Sequence, residues 1–325
     1  MVVIGAMVVI GAMASVGTLL LVQWSAPPKT TRGVLEREFS LEVDGRRVPG
    51  VLWTAAAPDT LVAQGSDPAS RSARSLCAAG MPDAGGDARA LVVPDARGGI
   101  SAASGSTTVT RRPAPLVALG HGASNHKRQD AVMALARRLV RHHGFAALAI
   151  DGPVHGDRRA DAGRDPRLSF LEFGQRWSLD GDAMTDAMVA DWRAAIDAVQ
   201  GLDDVGAGPL GWWGVSMGTI LGLPVVAAVG TMAGCVLGLM GLTGPTKARI
   251  AADAARVRCP LLFLMQWDDE LFPRSDSWAL FDALASTDKR LHAHVGAHGA
   301  LPAEALDASE AFLARALGTA GSGST

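Results

Sequence analysis

The chain has 325 residues, 48% of them apolar, which is enough for one large α/β domain or two small ones with a sizeable core. A formal charge of −2, with no basic stripe carrying interleaved aromatics, argues against a nucleic-acid partner. Cys77, Cys235 and Cys259 are far apart, odd in number and in no CxxC or CxxH pattern, so neither a disulfide framework nor a zinc site is supported.

The first segment, residues 1–24 ("MVVIGAMVVIGAMASVGTLLLVQW"), carries no charged side chain. At about 1.5 Å per residue it is long enough to cross a hydrocarbon layer of roughly 30 Å. Three readings stand: a membrane anchor, an overlong translation start, or a secretory signal with Ala12-Met13-Ala14 near its cleavage site. As an anchor it would leave Lys29, Arg32 and Arg37 on the cytoplasmic side, with the main domain. As an overlong start it would leave the domain in the cytoplasm.

Residues 25–56 hold the next elements. "LEREFSLEVDGRRVPGVLWT" (35–54) reads as two strands joined at Asp44-Gly45, a favoured hairpin dipeptide. Residues 57–112 are rich in Ala, Gly, Ser, Pro, Asp and Arg and have little periodicity. Such a composition buries too little apolar surface to offset ordering entropy, so the stretch is expected to be a flexible insertion, with one short strand at "ALVV" (90–93).

From 113 to 318 strands alternate with helices. "PLVALG" is an apolar strand. In the helix "RQDAVMALARRLVRHHG", Val132, Leu135, Ala136, Leu139 and Val140 share one face, and Gly144 stands where it should stop. "FAALAI" is a buried strand, followed by a polar loop over about 152–183 and the helix "TDAMVADWRAAIDAVQ". Then come strand "LGWWG", a helix from about 217 that Pro224 is expected to kink, and strands "GCVLGLMGL" and "CPLLFLMQW". Helix "SDSWALFDALAS", strand "RLHAHV" and a helix from about 302 close the domain, leaving 319–325 as a tail. Nearly continuous apolar strands alternating with helices predict an α/β fold, a mainly parallel sheet with helices on both faces.

In such a sheet, functional groups gather beyond the carboxyl ends of the strands. Gly214-Val215-Ser216-Met217-Gly218 is a G-x-S-x-G match between an apolar strand and an apolar helix start, the setting of a nucleophile elbow. A serine alcohol needs a base, and the base needs a carboxylate to orient it. His298, in the Gly-rich loop after the last strand, is the candidate base, while His292 and His294 alternate along that strand as structural residues. "LLFLMQWDDELFP" offers Asp268, Asp269 and Glu270 as the acid: Asp269 is preferred and Asp268 is its rival. The oxyanion hole is expected in "LGHGASNHK", where His121-Gly122 turns the chain so that the Ala123 N–H meets the N–H of Met217. His126 and Lys127 are either pocket residues or part of a solvated loop. Asp151, His155 and Asp157 are spread along a loop without fixed spacing, so no metal is expected there, and Asp151 is read as a turn acceptor.

With "LGHG", "AIDGPVHGD", "GVSMG", "WDDELFP" and "GAHG" in this order, the chain resembles the α/β-hydrolases, in particular the serine esterases grouped with dienelactone hydrolase-like proteins. The resemblance covers about 35–54 and 115–317. It implies Ser216 as nucleophile, His298 as base, Asp269 as acid, and Ala123 with Met217 as oxyanion donors. The chain departs from that pattern in three places. Dienelactone hydrolases use a cysteine where Ser216 stands, Thr219 replaces a small residue after the elbow, and the connection through 57–112 is far longer. About fifteen residues between the fourth and fifth strands of the alternating region leave no room for a large cap domain. The expected site is therefore open, with Gly122 lining it and Phe170, Phe173 and Trp177 serving as acyl-pocket walls or core anchors.

The expected activity is hydrolysis of a small-molecule carboxylic ester through an acyl-enzyme, with no cofactor and no metal. The alternatives are an amidase or peptidase on the same residues, or a non-catalytic, membrane-tethered binding protein on a hydrolase fold.

Overall fold

Asp44 and Gly45 both have positive φ, 48° and 72°, as a tight hairpin turn between right-twisted strands requires. The computed structural model describes residues 22–57, 113–161 and 165–322, with side chains to residue 318. The bulk of the apolar leader (1–21) and of the insertion, with its "ALVV" segment (58–112), lies outside these residues. The last residues of the leader belong to the sheet: Val22 is buried, and β1 (Gln23–Trp24) pairs with the hairpin. No helix among the described residues is long and apolar enough to cross a membrane.

After β1 come β2 (Lys29–Thr31), β3 (Val34–Val43) and β4 (Arg46–Ala55), and the last two form the hairpin in continuous antiparallel register. The alternating region supplies β5 (Leu116–Gly120), β6 (Ala146–Ile150), β7 (Leu210–Gly214), β8 (Gly234–Gly238), β9 (Leu261–Gln266) and β10 (Lys289–His294). The order across the sheet is β1-β3-β4-β6-β5-β7-β8-β9-β10, with β2 on β3. The six strands from β6 to β10 are mutually parallel, and the hairpin joins them antiparallel at β6.

The helices are α1 (Asp130–His143), α2 (Pro166–Gln200), α3 (Met217–Ile220), α4 (Gly222–Val229), α5 (Lys247–Ala254), α6 (Arg274–Ala283) and α7 (Ala303–Ser322). Side chains alternate between two cores, as the strand period of two demands. Leu116 and Ala118 of β5 face one core, which α2, α4, α5 and α6 cover. Val117 and Leu119 face the other, covered by α1 and α7. The α1 face is Val132, Leu135, Ala136, Leu139 and Val140, and Gly144 closes the helix in the left-handed conformation at φ 67°. Fully burying each valine or leucine of this face stabilises the fold by about 1.5–3 kcal/mol.

Four elements differ from the reading of the sequence. The segment expected as a polar loop up to 183 is helical from Pro166. Asp165 caps it by accepting the Arg167 N–H at 2.9 Å, and the proline sits where its missing N–H is harmless. The break expected at Pro224 lies at Leu221, between α3 and α4, and Pro224 falls in the first turn of α4. A short helix, α5, fills the β8–β9 connection, still too small to be a cap. Finally, α7 continues to Ser322, into the stretch read as a tail.

Candidate active site

β7 ends at Gly214 and α3 begins at Met217, so the chain must reverse within two residues. Ser216 makes the turn with φ 57° and ψ −121°, a conformation that costs a non-glycine residue about 1–3 kcal/mol. Its glycine neighbours are required by close approach. A Cβ on Gly214 would lie 2.5 Å from the Gly218 carbonyl oxygen, and one on Gly218 would lie 2.7 Å from that of Gly120. Thr219 takes the place of a smaller residue because its buried hydroxyl ties the turn to β8. It accepts the Gly238 N–H at 2.8 Å and lies 2.9 and 2.7 Å from the Gly214 and Gly238 carbonyls. The Ser216 N–H donates to Gly238 O at 2.9 Å.

His298 arrives on the loop after β10 and Asp269 on the loop after β9. Ser216 Oγ is 2.9 Å from His298 Nε2, and His298 Nδ1 is 2.8 Å from Asp269 Oδ2. The Asp269 side chain is 2% exposed and that of His298 13%, so the chain of contacts is sheltered from water. Asp269 Oδ1 accepts the N–H groups of Leu271 and Phe272, both at 2.9 Å, which leaves Oδ2 for the imidazole. Asp268 is exposed, and its N–H bonds Gly296 O at 3.1 Å.

Glu270, offered by the sequence as a carboxylate beside Asp269 and not as a loop partner, and Gln266, which sequence reasoning missed, hold this loop. Glu270 accepts the His298 N–H at 2.8 Å, and that bond holds its carboxyl below the usual range. Buried Gln266 donates Nε2–H to Ala297 O at 3.1 Å. Position beside Asp269 was the available signal for Glu270, and a glutamine ending an apolar strand was the signal for Gln266.

At the end of β5, His121 is fully occupied by the turn. Nδ1 donates to Gly122 O at 2.9 Å, and Nε2 accepts the Gly152 N–H at 2.8 Å. Burial, reinforced by His155, lowers its pKa to about 3, so it stays neutral. Gly122 N–H is taken by Gln129 Oε1 at 3.3 Å. Buried His155 lies between the carbonyls of Pro153 and Ala123 and so fixes the next residue of the turn. Neither the Ala123 N–H nor the Met217 N–H has an acceptor among the described residues.

Lys127, expected in the pocket or a solvated loop, is buried instead. Its Nζ donates to Asp151 Oδ2 at 2.7 Å and to Asp157 Oδ2 at 2.6 Å. Asp151 also accepts the N–H groups of Lys127 and Asp157, so it pins both loops beneath the His121-Gly122 turn. Burial works to raise the Asp151 pKa, but the Lys127 ammonium and these bonds outweigh it and hold the carboxyl low. Lys127→Met should therefore destabilise the fold by about 3 kcal/mol or more, because it leaves a buried carboxylate unpaired. A depressed carboxyl stabilises above its unfolded pKa, near 4, and the contribution is lost as pH falls through the folded value. The difference between wild type and variant in urea midpoint should accordingly be full at neutral pH and shrink in acid.

Two cavities flank Ser216, and both reach Ala123, Phe170 and Leu271. One, of about 340 Å³, is lined by Phe173, Trp177, Ile220 and Phe272. The other, of about 460 Å³, is lined by Gly122, Ser124, Asn125, Gln129, Glu270 and His298. The three aromatics expected as walls thus come from α2. Phe170 is 40% exposed to the site, and Phe173, 4% exposed, is both wall and core. Phe173 stacks on Trp177 with ring centroids 6.0 Å apart, and Trp177 Nε1 donates to Thr246 Oγ1 at 2.8 Å.

No family model and no curated protein matches the chain. Among solved structures it is similar to a novel cold-adapted esterase from an Arctic intertidal metagenomic library, determined as a PEG-bound complex. The two are 32% identical over 90% of this chain and 99% of that one, with a TM-score of 0.66. A dienelactone hydrolase-like promiscuous phosphotriesterase, P91, from metagenomic libraries is 17% identical, over 89% of this chain and 99% of its own, at a TM-score of 0.56. An acetyl xylan esterase from Paenibacillus sp. R4 is 14% identical, over 90% of this chain and 87% of its own, at 0.54. The last two speak to the fold alone.

Proposed function

The chain belongs to the α/β-hydrolase esterases and hydrolyses carboxylic esters, and from that premise we propose that it works through a Ser216-His298-Asp269 triad and an acyl-enzyme. The observation that carries this is the continuous chain from Asp269 Oδ2 through the imidazole to Ser216 Oγ, with contacts of 2.8 and 2.9 Å. His298 Nε2 takes the Oγ proton as Oγ attacks the ester carbonyl. The carbonyl oxygen becomes an oxyanion held by the N–H groups of Ala123 and Met217. The imidazolium then gives its proton to the departing alkoxide, and an acyl-serine remains. Water adds by the same base, and the acid leaves.

The two cavities take different halves of the substrate. The leaving oxygen must receive its proton from His298 Nε2, so the alcohol lies on the side that His298 lines, with Asn125 and Gln129. The acyl group occupies the aromatic cavity of Phe170, Phe173 and Trp177. Trp177→Ala should leave kcat/KM for acetyl esters within about threefold and extend the accepted acyl chain by about two carbons, since each buried methylene contributes roughly 1 kcal/mol. A p-nitrophenyl acyl series measured on both proteins reads this directly. A stoichiometric burst of p-nitrophenol followed by slower turnover is expected from the acyl-enzyme. Turnover of aminoacyl anilides at a rate equal to that of esters would shift the assignment to amide hydrolysis.

A further inference from the structure

α1 ends beside the middle of α7 with two adjacent histidines facing one carboxylate. His142 Nδ1 is 2.7 Å and His143 Nε2 3.0 Å from the same oxygen, Oε1 of Glu310. The three atoms lie within 4.8 Å of one another, the one such cluster of three metal-ligating side chains among the described residues. Arg138 holds the other Glu310 oxygen and also bonds Asp307 at 2.6 Å. The Glu310 side chain is 8% exposed, those of His143 and His142 28% and 54%.

We infer that His142, His143 and Glu310 form a binding site for a zinc-class divalent cation that clips α1 to α7. Two imidazoles and one carboxylate are the donor set that suits such an ion, and they fill three corners of a tetrahedron. The half-exposed side at His142 leaves the fourth corner to water. Ligand distances of 2.0–2.2 Å require the donor atoms to stand about 3.3 Å apart, so the contacts of 2.7 and 3.0 Å to Glu310 must open while the two nitrogens, within 4.8 Å of each other, draw together, a rearrangement for partly exposed rings. Each neutral imidazole shifts its proton to the far ring nitrogen on binding, and an imidazolium releases one. Burial works to raise the Glu310 pKa, but hydrogen bonds from His142, His143 and Arg138 hold it low, so the carboxylate is ionised and ready. Arg138 also orients it from behind, as outer-shell partners of metal ligands do.

The position explains what a clip would do. α1 starts directly after the oxyanion turn, and α7 starts shortly after the His298 loop. With 14 residues, α1 puts about 21 Å of helix between its start and the site, so the ion stabilises the frame without touching the chemistry.

Titration of the full chain with zinc chloride at neutral pH should show one bound equivalent and a rise in Tm of several degrees, reversed by chelator. His142→Asn and His143→Asn should each weaken binding by at least about tenfold, and together abolish it. Metal-free ester turnover should stay within about twofold in both variants. An anomalous difference peak between the three donor atoms in zinc-soaked crystals would place the ion. Stoichiometric binding unchanged in the double variant, or no heat and no Tm shift at millimolar zinc, would overturn the site.

Discussion

Ser216→Ala is expected to lower kcat for p-nitrophenyl ester hydrolysis by about 10⁵–10⁶-fold, leaving the residual rate that oxyanion donors and binding alone provide. The loss is this large because His298 then has no hydroxyl to deprotonate, and water must attack without covalent catalysis. The variant should fold as well as wild type, since alanine keeps the Cβ and leaves the φ of 57° as strained as before. Ser216→Gly separates strain from chemistry. It should be equally inactive yet more stable by about 1 kcal/mol, because glycine takes positive φ without penalty, a gain of about 2–4 °C in Tm for a domain of this size. Calorimetry on the three proteins reads the strain, and ester turnover reads the nucleophile.

The second large effect is at the acid. Asp269→Asn should lower kcat by about 10⁴-fold, while Asp268→Asn should change it by less than about threefold. Asp269 Oδ1 receives the N–H groups of Leu271 and Phe272, so an asparagine there keeps its carbonyl oxygen on those donors and turns its NH₂ toward His298 Nδ1. The imidazole must then accept at Nδ1 and carry its proton on Nε2, facing Ser216 with an N–H where a lone pair is needed. Asp268 points to solvent and cannot exert this control. Equal losses in the two variants would contradict the assignment.

These side chains were legible in the sequence because each follows a strand, and strand ends in a parallel sheet point to one rim. The elbow glycines, the Asp44-Gly45 turn and the apolar face of α1 were visible for a similar reason: in each, local backbone or packing demands act within a few residues. The start of α2 was hidden because its first apolar residues do not serve a core. Leu168, Phe170 and Leu171 are 45%, 40% and 60% exposed, so they form no buried stripe, and of the three Phe170 lines the cavities beside Ser216. The Asp165-Pro166 start signal was present and was outweighed by the surrounding polarity. α5 was hidden because just Ile250, Asp253 and Ala254 are buried on it.

Long-range polar pairings left no local trace at all. Lys127 meets Asp151 across 24 positions, and His142 meets Glu310 across 168. Neither has a periodicity to read, and a lysine next to a histidine in a Gly-rich loop looks solvated until the fold buries it. Thr219 illustrates the intermediate case. Its place in the motif was plain, but its role in tying the elbow to Gly238 needed the neighbouring strand.

The most direct measurement is covalent labelling of the folded full-length chain with a fluorophosphonate probe, followed by peptide mass spectrometry. One adduct, on Ser216, is predicted, absent in Ser216→Ala and formed at least about 10³-fold more slowly in His298→Ala. Ester turnover by a wild-type protein that remains unlabelled, or an adduct on another serine with Ser216 free, would contradict the account.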